Sequence, residues 1–265
     1  MTRLANIPDD LSNVLQALAN DFPTMLRDNL VGIYLWGSLT YEAFDHGCSD
    51  VDCIVVTCRD LDVSEFSELD EWFKNTGEHN RWVKRLDMRF VIDNEFLDKS
   101  SRCCGFYHHT GKLVRHGSDG NPIIWMNIRQ SGITLWGKDA RLIAPCVSDQ
   151  SLNNALKLEL KYLKEDLASN AEDRSDRAFR HNAYVVLTAC RVLYSAHHRA
   201  LASKAEASAW AMETVPSVWS GVIGAANENR SKNHGSTTLQ LEQDAMRFLE
   251  FVTAAVEQVL GPSPD

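Results

Sequence analysis

Two short apolar runs, one ending in a small-residue pair and the other opened by an acidic pair, constrain this chain more than any other feature. Val31–Trp36 reads as a strand and runs directly into Gly37-Ser38; eleven residues after Ser38, Ser49-Asp50-Val51-Asp52 opens a second strand, Cys53–Thr57. In extended chain, side chains at i and i+2 share a face, so Asp50 and Asp52 are presented side by side. Adjacent carboxylates repel unless a cation neutralises them, and oxygen ligands suit Mg²⁺. Gly37-Ser38 stands where a strand hands over to a turn or helix start, and free backbone N–H groups there can cradle phosphate. A phosphate cradle beside a metal-binding carboxylate pair points to phosphoryl or nucleotidyl transfer.

Such chemistry also needs a group to deprotonate the attacking hydroxyl. From Arg85 onward the segment Lys84–Ile92 alternates, with Leu86, Met88 and Phe90 on one face and Asp87 and Arg89 on the other. That is the pattern of a half-buried strand. Asp87 is therefore the candidate third carboxylate, as base, metal ligand or both. The alternative is a surface aspartate paired with Arg85 or Arg89. His46, in the loop between the two motifs, reads as a bystander. His108-His109 and His197-His198 have no matching ligand set at metal-binding spacing.

The two halves of the chain differ in texture. Asp9–Leu30 carries an apolar helical stripe through Leu11, Leu15, Leu18 and Phe22, and residues 63–75 read as a charged helix. Helices and strands mix to about residue 145. Beyond Ser148 the pattern is helical throughout: Leu152–Leu167, Tyr184–His197, a helix opened by the capping sequence Ser203-Lys-Ala-Glu206, and a final helix with Leu241, Ala245, Phe248, Val252, Ala255 and Val259, stopped by Gly261-Pro262. The expected fold is α+β: a mixed sheet with helices over residues 1–147, then an all-α bundle over 148–265, with the seam between Pro145 and Asp149.

The 265 residues are 44% hydrophobic, enough to build real cores. The stretch contains no apolar run of eighteen residues and no apolar signal core at its start, so a cytoplasmic protein without a membrane span is expected. Seven cysteines, none in a Cys-x-x-Cys pair, fit reduced thiols. The net charge of −9 argues against nucleic acid as a partner and favours a cationic small molecule or simple solubility. A monomer is expected.

Gly-Ser followed by Asp-x-Asp at this spacing resembles the nucleotidyltransferase superfamily. The helical half makes the likeness narrower. Asn182–Ser195, containing Arg191, and Leu201–Met212, containing Lys204, resemble the C-terminal domain of aminoglycoside adenylyltransferases of the streptomycin/spectinomycin type, and Ile128–Lys138 resembles the end of their first domain. The resemblance implies a nucleotidyltransferase-fold domain followed by a helical domain, with ATP and drug between them. It implies that Gly37, Ser38, Ser49, Asp50 and Asp52 serve ATP and Mg²⁺, that Arg191 and Lys204 hold the triphosphate, and that Asp87 is the base where the family has glutamate. It also implies AMP transfer to a hydroxyl of an aminoglycoside or aminocyclitol such as spectinomycin or streptomycin. Glu172, Asp173 and Asp176 would draw the substrate's ammonium groups, and the tryptophan that the family uses against streptomycin is replaced near Tyr162 or Leu163. Two other activities fit the same motifs: modification of a protein side chain, and nucleotide sensing without transfer.

Overall fold

A helical stripe that repeats every three or four residues must bury one face, and an alternating strand must bury every second side chain; the arrangement of these elements follows from satisfying both. The computed structural model describes residues 4, 7–47, 49–93, 102–108, 111–115, 117–118, 121–169, 176–231 and 238–261. It divides into two compact units, Met1–Cys146 and Val147–Asp265.

The first unit is a mixed sheet with helices. Its strands are β1 (Leu30–Leu35), β2 (Val51–Thr57), β3 (Leu86–Ile92), β4 (Arg102–His108), β5 (Lys112–Val114), β6 (Gly117–Ser118) and β7 (Ile133–Gly137). The order is β5-β4-β3-β2-β1-β7, with β6 beside β4. β2 and β3 are parallel; the other pairs are antiparallel. Helices α1 (Asp9–Leu26), α2 (Val63–His79), α3 (Pro122–Ser131) and the short α4 (Ala140–Ile143) complete the unit.

The stripe expected on α1 is buried in full, since Leu11, Leu15, Leu18 and Phe22 are at most 3% exposed. These pack against the β3 face that carries Leu86, Met88 and Phe90, all fully buried. Each such side chain contributes roughly 1.5–3 kcal/mol by leaving water. Phe22 and Phe90 stack at 6.2 Å, and Phe73 lies flat on Tyr107 at 3.8 Å. Two boundaries differ from expectation. α1 stops at Leu26, because Arg27 turns to a left-handed φ of 50° before β1 begins. Lys84 and Arg85 belong to a 3-10 turn, and β3 starts at Leu86.

α2 starts where expected, with a strong cap, and runs on past residue 75 to His79. Asp62 accepts from the Glu65 N–H while Glu65 reaches back to the Asp62 N–H, a reciprocal capping box. The Glu65 carboxylate also accepts from Asn29 Nδ2 and from both terminal nitrogens of Arg59, so a charge only 3% exposed is fully hydrogen-bonded.

The second unit is helical across its described residues: α5 (Asp149–Ser169), α6 (Asp176–His198), α7 (Lys204–Thr214), α8 (Ser220–Ser231) and α9 (Thr238–Leu260). α7 begins as its sequence requires, with Ser203 accepting from the Glu206 N–H. α9 ends at Gly261, φ +77°, whose N–H bonds Glu257 O. The buried face of α9 runs through Ala245, Phe248, Leu249, Val252 and Val256. Val259 is instead 39% exposed. Alternating steps of four and three follow a period of 3.5, and a straight helix of period 3.6 drifts off it, so the later positions rotate outward. α8 had no clear periodic signal in the sequence. Among the described residues no helix is long and apolar enough to cross a membrane.

Candidate active site

β1 delivers Trp36 in an extended conformation, and the chain then turns sharply into a 3-10 turn over Gly37–Tyr41. Gly37 has φ +71°, and a Cβ placed there would stand 2.0 Å from Asp52 Oδ2. Glycine is required twice over: for the left-handed backbone and for the carboxylate that lies against its Cα. The small-residue turn and the acidic strand are therefore in direct contact, although fifteen residues separate them in sequence.

The Gly37 N–H is not left free as expected. It donates to Asn127 Oδ1 at 2.8 Å, and Asn127 is 3% exposed on α3. Thr40 Oγ1 donates to Gly37 O and lies 3.1 Å from Ser131 Oγ, which also accepts from Asn127 Nδ2. This network pins the turn to α3. Sequence reading missed Asn127. Its signal was a pair of polar residues one turn apart, Asn127 and Ser131, on a helix otherwise rich in Ile and Trp. Ser38, half-buried, accepts the Ala43 N–H at its carbonyl.

The loop before β2 is tied internally. Asp45 N–H donates to Ser49 Oγ at 3.0 Å, and Ser49 N–H to Asp45 O at 2.8 Å. The Arg85 guanidinium donates to the carbonyls of His46 and Ser49 and sits 4.5 Å above the Trp82 ring. Arg85 thus braces the segment that presents Asp50. The hydroxyl of Ser49, a residue 9% exposed, serves the same loop. His46 contributes its carbonyl, and its ring lies 5.6 Å from Phe44.

The pairing of β2 with β3 brings the third carboxylate in. Asp52 and Asp87 are Cα partners on adjacent parallel strands, in a register that runs without a shift from Val51↔Leu86 to Thr57↔Ile92. Partners in this register point to the same face. Trp36 N–H donates to Asp52 O at 3.1 Å, which adds the end of β1 to the row. Asp50, just ahead of β2, is exposed; Asp52 is half-buried. Asp87 pairs with Arg89, Oδ1 to Nε at 3.6 Å, and both side chains are about 15% exposed. Arg89 also lies 5.9 Å from the Trp36 ring centroid and 5.5 Å from that of Phe106.

The structure brings Gly37, Asp52 and Asp87 together, but it does not gather Asp50, Asp52 and Asp87 into one ligand cluster. Among the described residues, no group of three or more His, Cys, Asp or Glu side chains is arranged to hold a metal ion. The donor set is nonetheless oxygen-only, and the carboxylate against the Gly37 turn is the chemistry a hard cation takes. Asp50 and Asp52 are the residues that would hold it.

In the second unit, Arg191 lies on α6 and Lys204 opens α7. Arg191 Nε donates to Ala202 O at 3.0 Å, two residues before Lys204, and Lys204 Nζ lies 4.4 Å over the Tyr184 ring. Tyr184 and Arg191 are two turns apart on α6 and share a face. Desolvation of the Tyr184 hydroxyl, reinforced by the charge of Glu159 and opposed by that of Arg191, pushes it up to about 12. Among the described residues, a backbone carbonyl rather than a carboxylate anchors Arg191. Of the acidic residues assigned to the substrate, Glu172 and Asp173 lie outside the described residues, and Asp176 is described only as the first residue of α6.

Comparisons with known proteins agree with this layout. Residues 143–257 match the family described as "Aminoglycoside adenylyltransferase, C-terminal domain". The chain is 20% identical over 249 residues to a spectinomycin 9-adenylyltransferase of Campylobacter jejuni, covering 89% of this chain and 92% of that protein. Its fold matches the crystal structure of the spectinomycin adenyltransferase AAD(9) from Enterococcus faecialis, solved with ATP and spectinomycin. That match has a TM-score of 0.72 and 16% identity, and it covers 95% of this chain and 100% of the other.

Proposed function

We propose that this chain, which the C-terminal family match and the likeness to two spectinomycin adenylyltransferases support as an aminoglycoside nucleotidyltransferase enzyme, transfers AMP from ATP to a hydroxyl of an aminocyclitol, with spectinomycin as the first substrate to test. The observation that carries the chemistry is the register that makes Asp52 and Asp87 partners on one face, with Asp52 packed on Gly37. A carboxylate suited to a cation and a candidate proton acceptor then stand on neighbouring strands beside the glycine turn.

In this reading Asp50 and Asp52 hold Mg²⁺, which when bound neutralises charge on the triphosphate. Gly37, Ser38 and Ser49 shape the turn and loop that receive the phosphates. Arg191 on α6 and Lys204 on α7 hold the triphosphate through charge-assisted contacts. The acceptor's hydroxyl oxygen attacks the α-phosphorus, the bond from that phosphorus to the α–β bridging oxygen breaks, and pyrophosphate leaves. Asp87 takes the hydroxyl proton as the new P–O bond forms. Glu172, Asp173 and Asp176 attract the acceptor's ammonium groups. The protein acts as a monomer in the cytoplasm and needs no nucleic acid.

The test is incubation of the protein with ATP, Mg²⁺ and a panel that includes spectinomycin and streptomycin, read by mass spectrometry. The expected result is a drug carrying one AMP, with pyrophosphate released in equal amount. ATP left intact beside every member of the panel would remove aminocyclitols and aminoglycosides as substrates.

A further inference from the structure

Three carboxylates at one end of a sheet could all close on one cation, and the geometry points to a residue that prevents this. We infer that Arg89 is a positioning residue: it holds Asp87 for proton transfer and keeps it out of the metal-ligand set of Asp50 and Asp52. The inference rests on the AMP-transfer reading for its catalytic half only.

Strand register alone does not distinguish Asp52 from Asp87, since the two are Cα partners with the same outlook. Arg89 does distinguish them. It follows Asp87 by two residues on β3 and so shares its face. Its Nε stands 3.6 Å from Asp87 Oδ1. With both side chains only about 15% exposed, the pair is screened far less than one at the surface.

The cation is itself held from two sides. The Trp36 and Phe106 rings lie 5.9 and 5.5 Å from the guanidinium carbon, and Phe106 is the Cα partner of Arg89 on β4. A planar guanidinium flanked by aromatic rings keeps its charge in one place beside the carboxylate, although the 3.6 Å contact is an ion pair and not a hydrogen bond. A carboxylate already engaged by a cation is a weaker ligand for a second one. Asp52 lies against the Gly37 turn, whereas Asp87 faces Arg89.

The test compares wild type, Arg89→Gln, Arg89→Lys and the double variant Arg89→Gln/Asp87→Asn. Mn²⁺ binding is followed by electron paramagnetic resonance in the presence of a non-hydrolysable ATP analogue and without any acceptor. Arg89→Gln should bind Mn²⁺ about tenfold more tightly, because the released Asp87 joins the ligand set. The double variant should return to the wild-type affinity. In turnover, Arg89→Gln should lower kcat by about 100-fold with KM for ATP unchanged, since the base is present but misplaced.

Arg89→Lys keeps the charge and loses the planar fork, so it should fall between wild type and Arg89→Gln on both readouts. It carries the test if Arg89→Gln fails to fold by circular dichroism. Mn²⁺ affinity unchanged or weakened in both single variants would overturn the inference, as would a wild-type kcat. Because Mn²⁺ binding needs no acceptor, tightening without any drug adduct would keep the role of Arg89 and remove only the aminocyclitol substrate.

Discussion

The two units place their functional residues by different physical means. In the sheet unit, Asp52 and Asp87 are set by strand register, an unbroken ladder of seven Cα pairs. Moving either aspartate relative to the other would require slipping a ladder whose opposite face is fully buried at Leu86, Met88 and Phe90. In the helical unit, Arg191 and Lys204 are long side chains on helices; Arg191 bonds Ala202 O and Lys204 lies over the Tyr184 ring. Register is enforced by many bonds at once and tolerates no small displacement, whereas a long cationic side chain on a helix can swing. Groups that must sit within a fraction of an ångström of reacting atoms belong on the first kind of scaffold, and groups that follow a charged ligand suit the second.

Substitutions in the two units should therefore fail differently. The largest effect is expected at the carboxylates that would hold the metal. Asp52→Asn or Asp50→Asn should reduce AMP transfer by about three orders of magnitude or more, since each removes charge from where the triphosphate must be neutralised. Far-UV circular dichroism should stay unchanged, because Asp50 is exposed and Asp52 half-buried. Near-normal turnover in either variant would show that these residues do not hold the metal.

Next in size is Gly37→Ala. The added Cβ meets the Asp52 carboxylate, and the left-handed backbone costs a further 1–2 kcal/mol or so. A lower Tm together with a fall of about 100-fold in kcat is expected. If Tm and kcat both match wild type, the glycine turn does not support Asp52.

The helical unit should give the smallest and most selective change. Arg191→Ala or Lys204→Ala should raise KM for ATP by about ten- to a hundred-fold, which corresponds to one lost charge-assisted contact. The pyrophosphate-releasing step itself should be largely spared. A kcat loss as large as that of Asp52→Asn would erase the distinction between the two scaffolds.

Much of this was legible in the sequence where local pattern decides the outcome. The alternation through Leu86, Met88 and Phe90 gave the inward face of β3 and so the outward side of Asp87. The Asp9 start and the Leu11–Phe22 stripe gave α1, and Ser203 gave the start of α7. What stayed hidden depends on contacts across long sequence separations. The Gly37 N–H was expected to be free, but its partner, Asn127, lies ninety residues away on α3. Arg85 and Arg89 looked equivalent as partners for Asp87. The 3-10 turn over Val83–Arg85 sends Arg85 to the loop carbonyls of His46 and Ser49, while the strand keeps Arg89 beside Asp87. On α9 the face was read with too short a period, so Val259 was placed inside and is exposed.

The central claim, that β2–β3 register makes Asp87 the proton acceptor beside the metal-holding pair, is tested most directly by steady-state kinetics of Asp87→Asn and Asp87→Glu with saturating ATP, Mg²⁺ and spectinomycin. Asp87→Asn should lose about two to four orders of magnitude in kcat with ATP affinity kept, and Asp87→Glu should retain activity. Unchanged turnover in Asp87→Asn would contradict the claim and leave Asp87 as no more than the structural partner of Arg89.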